Sequence, residues 1–137
     1  MNLADWKGHM LSGVDGKNMP EDYLIRTGTV DDFSPANLQK GCEAMGMGCS
    51  SFVFYHANLG PGNIIVENEP MLGTVAIIDW ELAGYFPRGW VRTKFRLSGG
   101  LDFEPWITDN PTWWRSEVQK LLEINGFEDY SQAWLSW

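Results

Sequence analysis

Histidine and cysteine are scarce in this chain, with two of each in 137 residues. Cys42 and Cys49 are too few for a disulfide framework or a metal knuckle. Their spacing, across a helix end and a glycine-rich turn, reads as two reduced, half-buried thiols. Basic residues are also few. Ten Lys and Arg against 18 Asp and Glu leave a net charge of -8, which argues against nucleic acid and anionic membranes as partners. No apolar run approaches the ~20 residues that cross a bilayer. Met1 to Lys7 carry neither the basic start nor the apolar core of a secretory signal. By elimination, a cytoplasmic address is expected.

Aromatic side chains are abundant instead. Eight Trp and an aromatic content of 14% point to a packed globule with apolar surface to spare for a pocket or interface. The length fits one domain over residues 1–137. Charge is uneven along it: Arg88, Arg92, Lys94 and Arg96 fall within nine residues that hold no acid. Such a run forms either a face paired with nearby carboxylates or a clamp for an anionic ligand.

Residues 1–33 read as irregular, punctuated by Gly13, Gly16, Pro20 and Gly28. Ser34-Pro35 reads as a helix cap and first-turn proline, with Leu38, Cys42 and Met45 on one face and Gly46 as the stop. Phe52 to His56 reads as a strand. Ile64 to Val66 and Thr74 to Ile78 read as an antiparallel hairpin turning through Asn68 to Gly73. Beyond Asp79 no further strand is expected. A helix capped by Asn110 begins at Pro111, sets Trp114, Val118, Leu121 and Leu122 on one face, and ends at Gly126. A last short helix over 131–137 packs Trp134 and Trp137.

The chemistry sits between the first strand and the hairpin. A kinase-type phosphotransfer site needs His-x-Asp-x-x-x-x-Asn, a short strand, and a second Asp closing another apolar strand. Here His56, Asn58 and Asn63 keep that spacing, and Ile77-Ile78-Asp79-Trp80-Glu81 supplies the second motif. The proton-accepting position, however, holds Asn58. A neutral amide takes no proton, and losing a general base costs ~10²–10⁴ in rate.

Phe52 to Val66, followed by Ile77 to Trp90 with its Ala-Gly and Pro, resembles the aminoglycoside phosphotransferase and choline kinase superfamily in its fungal branch. The resemblance is strongest over residues 51–102. It implies an α+β fold: the kinase-like C-terminal lobe, with a small antiparallel hairpin packed on helices. It further implies that Asn63 and Asp79 hold Mg²⁺ and that His56 braces the loop. Trp80, Glu81 and the segment from Tyr85 through Arg88 to Trp90 would line the acceptor-substrate pocket. Nothing before residue 51 offers a glycine-rich phosphate hairpin, and Lys7, Lys17 and Lys40 lie in the wrong context for a nucleotide lysine. The nucleotide lobe is therefore expected to be absent, ATP is not expected to bind, and no cofactor is expected to be required.

These readings converge on a truncated, degenerate phosphotransferase-like protein that is not an active kinase. Its first expected role is small-molecule binding, or acid–base chemistry without phosphate (cyclisation, isomerisation, dehydration or hydrolysis), in a setting such as fungal secondary metabolism. Asp79, Glu81, His56 and Asn58 would be its polar actors, with Trp80, Tyr85, Arg88 and Trp90 contacting substrate. Asp79 and Glu81 flank Trp80 and share a face if the strand continues. They read either as a vestigial metal site plus a carboxylate paired to Arg88 or Arg92, or as a carboxylate pair in an aromatic cleft. The alternatives are a pseudokinase-like interaction module and a phosphotransferase completed by another chain. A homodimer through the face the missing lobe would cover is also expected.

Overall fold

The computed structural model describes residues 3–26, 31–69 and 71–137. Gly28 and Pro70, read above as turn residues, and the start of the N-terminal segment, Met1 and Asn2, lie outside them. The fold is mixed α+β, a four-stranded antiparallel sheet packed against helices with a separate two-stranded hairpin beside it.

Two short strands, β1 (Lys7–Gly8) and β2 (Ser12–Gly13), precede helix α1 (Pro35–Ala44). Ser34 caps α1 as its sequence predicts, its hydroxyl accepting the Asn37 N–H. Gly46 ends the helix at φ 82°, a conformation that favours glycine. Met47 N–H then reaches back to the Cys42 carbonyl and Gly46 N–H to that of Glu43, satisfying the last helical acceptors. Leu38, Cys42 and Met45 are buried on one face. The Cys42 thiol is pushed well above its usual range by the neighbouring Cys49 thiol and by burial, whereas Cys42 lowers that of Cys49.

Strand β3 (Phe52–His56) is central and buried at every residue. The hairpin β4 (Ile64–Val66) and β5 (Val75–Ile77) follows with Ile64 opposite Ile77. The strands do not stop at Asp79. Strand β6 (Ala83–Pro87) pairs antiparallel with β3, Phe54 opposite Tyr85, and the main sheet runs β1-β3-β6-β2. Gly84 and Pro87 hide this strand in the sequence. Gly84 is there because a Cβ would stand 2.3 Å from the Ser12 carbonyl oxygen of β2, a close backbone approach that glycine alone permits. Pro87 closes the strand where α2 begins.

The N-terminal segment is thus part of the fold. It supplies both flanking strands, and Phe54 N–H donates to the Trp6 carbonyl beyond the end of β1.

Helix α2 (Arg88–Leu97) was also absent from the sequence reading. It packs on the sheet face that carries Tyr55 and Phe86, with Tyr55 5.7 Å from Phe86 and 6.4 Å from Phe95. Trp90, expected in a substrate wall, is wholly buried there and donates its indole N–H to Glu21. Helix α3 (Trp113–Ile124) and helix α4 (Ser131–Ser136) complete the layer. Gly126 stops α3 at φ 74°, as its sequence predicts. Trp114, Val118 and Leu122 are half-buried, but Leu121, expected to share their face, is exposed. Among the described residues no helix is long and apolar enough to cross a membrane.

Candidate functional site

The second face of the main sheet builds the site. Phe54 gathers Trp6, Trp80 and Tyr85 with ring centroids 5.5, 6.1 and 5.7 Å away. Beyond this cluster β3 delivers His56, and the chain turns through Asn58 to Asn63. The hairpin then returns it to Asp79, beside Asn63, where Ile78 N–H donates to the Asn63 carbonyl. Sequence spacing therefore translates into proximity: His56, Asn58, Asn63 and Asp79 are brought together.

His56 is fixed at both ring nitrogens. Its Nε2 bonds the Ile78 carbonyl at 2.9 Å and its Nδ1 accepts the Asn58 N–H at 3.3 Å, which assigns the ring proton to Nε2. The ring is 1% exposed and stands edge-on to Trp80 at 4.9 Å. It ties β3 to the end of the hairpin and leaves no nitrogen for a ligand. His56 has the geometry of a brace.

Asp79 is the only non-glycine with positive φ among the described residues, at φ 62° and ψ 58°. Short polar residues tolerate this region, and departures of this kind cluster at functional sites. The turn points the carboxylate at two amides. Asn58 Nδ2 lies 3.5 Å and Asn63 Nδ2 3.4 Å from Asp79 Oδ2, while Asn63 Nδ2 also donates to the Asn58 carbonyl at 2.8 Å. Mg²⁺ takes oxygen ligands, and here the carboxylate meets the Nδ2 side of both amides. Among the described residues no group of three His, Cys, Asp or Glu could hold a metal ion.

Glu81 does not share a strand face with Asp79. The β-strand ends at Ile77, and Trp80–Leu82 is a tight helical turn. Among the described residues Glu81 has neither a hydrogen-bond nor an ion-pair partner, so the expected pairing with Arg88 or Arg92 is not formed. Trp80 bonds the Ile77 carbonyl through its indole N–H and remains partly exposed. Tyr85 packs over Gly8, where an added Cβ would lie 2.5 Å from its ring.

The basic run divides. Arg92 pairs with Glu123 at 3.1 Å and Lys94 with Glu21 at 2.5 Å, as expected of a run paired with carboxylates. A groove of about 550 Å³ between α2 and α3 carries Arg92, Arg96, Arg115 and Lys120. Most of that charge is spent. Arg115 grips Asp102 with two bonds, and Lys120 holds Glu117. Arg88 instead donates to the Asn125 carbonyl and lies over Phe127, away from Asn58 and Asp79.

A cleft of about 280 Å³ does adjoin the Asn58–Asn63 loop, and its opposite wall was missed. Asp102, Phe103, Glu104 and Ile107 form that wall from the segment between α2 and α3. The segment is held by Phe103 N–H donating to the Pro111 carbonyl and by Phe103 stacking on Trp113. Asp102 is committed to Arg115. Glu104 has no ion-pair partner among the described residues and is the cleft's available carboxylate. It lies in a non-periodic stretch, Phe103-Glu104-Pro105-Trp106-Ile107, whose apolar residues between turns were the one available signal.

Comparison with protein-family models, with curated proteins and with solved structures finds no match to this chain.

Proposed function

We propose that this protein is a small-molecule-binding module on a kinase-like C-terminal lobe, and that it does not transfer phosphate. The observation that carries the reading is the cleft of about 280 Å³ that Asn58 and Asn63 line together with Phe103, Glu104 and Ile107. Two Asn side chains and one carboxylate beside the apolar Phe103 and Ile107 suit a small, fragment-sized organic molecule that offers a hydrogen-bond donor to Glu104. Asn58 stands where the motif of a phosphotransferase places its base, and its amide is turned toward Asp79 as a donor. Turnover in this reading is proton transfer between Glu104 and the ligand, with Asp79 holding the Asn58 and Asn63 amides and His56 holding the loop that carries Asn58.

The test is protein-detected NMR titration with a library of flat aromatic fragments. Shifts clustered on Asn58, Gly62, Asn63, Phe103 and Ile107 are expected. Shifts absent from those residues across the library would sink the proposal.

A specific observation favours the interaction module as a second reading. The β4–β5 hairpin stands apart from the main sheet and exposes Ile65, Val66 and Val75, with Met71 and Leu72 more than four-fifths exposed at its tip. Two-stranded hairpins are marginal in water without a cover. In that reading a second copy of the chain supplies the cover, and sedimentation velocity that finds only monomer at high concentration excludes it.

A further inference from the structure

Outside the Asn58 cleft lies an apolar cavity of about 380 Å³ lined by residues of β3, of α2 and α3, and by Leu3 and Ala4. It shares no lining residue with that cleft. Leu59, Val91, Phe95, Leu121, Leu122 and Phe127 are among its apolar lining residues. Its volume falls within the roughly 300–1,000 Å³ typical of organic-ligand pockets.

One ionic side chain lines it beside His56, whose ring nitrogens are both engaged elsewhere. That side chain is Arg88. Arg88 lays its guanidinium 3.8 Å over the Phe127 ring and gives one N–H to the Asn125 carbonyl at 2.8 Å. Among the described residues no carboxylate pairs with it, whereas Arg92, Lys94, Arg115 and Lys120 each have one. A guanidinium has five N–H donors in a fork shaped for a carboxylate. Arg88 is also the first residue of α2, where the helix dipole adds positive potential.

We infer that this cavity binds an amphipathic monocarboxylate, its apolar body between α2 and α3 and its carboxylate on Arg88. Complementarity decides the class. The mainly apolar lining favours an apolar body, and Arg88, exposed at the rim and without a carboxylate partner among the described residues, selects an anion over an alcohol or an amine. The inference is independent of the Asn58 cleft, and either can fail alone.

Calorimetric titration with octanoate, octan-1-ol and octylammonium tests it. Octanoate is expected to bind one per chain and more tightly than the other two. Arg88→Gln is expected to weaken octanoate roughly tenfold or more, the loss typical of a charged hydrogen bond, and to leave octan-1-ol unchanged. Arg88→Lys should restore part of the loss. Leu121→Asp, at an exposed position that tolerates change, should weaken octanoate by placing a like charge at the wall. Equal affinity for octanoate and octan-1-ol overturns the inference, as does an unchanged octanoate affinity in Arg88→Gln. No binding of octanoate at millimolar concentration overturns it as well.

Discussion

Lys94 Nζ lies 2.5 Å from Glu21 Oε1, and both side chains are buried. Glu21 also accepts the Trp90 indole N–H at 3.4 Å and the Tyr23 N–H, while the Lys94 ammonium stands 4.3 Å over the Tyr23 ring. This network locks the N-terminal segment to α2. Removing one partner strands the other charge in the core, which costs about 3–5 kcal/mol. Glu21→Gln should therefore lower the unfolding free energy from urea titration by that amount, through a lower midpoint at an unchanged slope. The double variant Glu21→Gln, Lys94→Met should regain most of the loss. A loss under about 1 kcal/mol for the single change would place the pair in water.

Glu67 organises the hairpin loop. Its carboxylate accepts the Met71 and Leu72 N–H groups at 2.8 and 3.0 Å and bonds the Thr74 hydroxyl. The Thr74 hydroxyl first, then the loop N–H groups, hold its pKa down to about 2 from 4.5. A depressed carboxylate stabilises above its unfolded value and loses that contribution as pH falls through the folded one. Loop order should hold above pH 4.5 and be lost between 4.5 and 2. Amide exchange of Met71 and Leu72 reports it, and Glu67→Gln should abolish the pH dependence.

Among the described residues the buried Tyr55 hydroxyl has no hydrogen-bond partner, and burial pushes its pKa well up. An unmade bond of this kind costs about 1–3 kcal/mol. Tyr55→Phe keeps the ring between Phe86 and Phe95 and deletes the orphan oxygen. Thermal unfolding should show a variant at least as stable as the original. Clear destabilisation would mean that the hydroxyl has a partner in solution.

The elements that the sequence displays are those with local signals. Ser34-Pro35 and Gly46 bracket α1, and the β4–β5 pattern needs only neighbouring residues. Strand β6 and helix α2 were hidden because Gly84, Pro87 and Gly89 look like breakers in isolation. Gly84 and Gly89 answer to distant neighbours, the Ser12 carbonyl and the Tyr130 ring. Strands β1 and β2 are two residues each and exist only by pairing with β3 and β6. The site divides in the same way. His56, Asn58, Asn63 and Asp79 were legible through spacing, and they meet. Trp90 was assigned to a ligand wall because an aromatic near a motif looks the same whether it is core or surface. Glu104 was invisible because it reaches the Asn58 loop only through the packing of α2 and α3.

A site around Asn58 that binds without delivering phosphate leaves ATP untouched, and incubation of the folded protein with millimolar Mg²⁺ and γ-labelled ATP, with and without hydroxylated and aminated small molecules, checks this. No label on any acceptor and no release of labelled phosphate above background are expected, for the unaltered protein and for Asn58→Asp alike. Mg²⁺-dependent appearance of label on an acceptor with the unaltered protein would contradict the account.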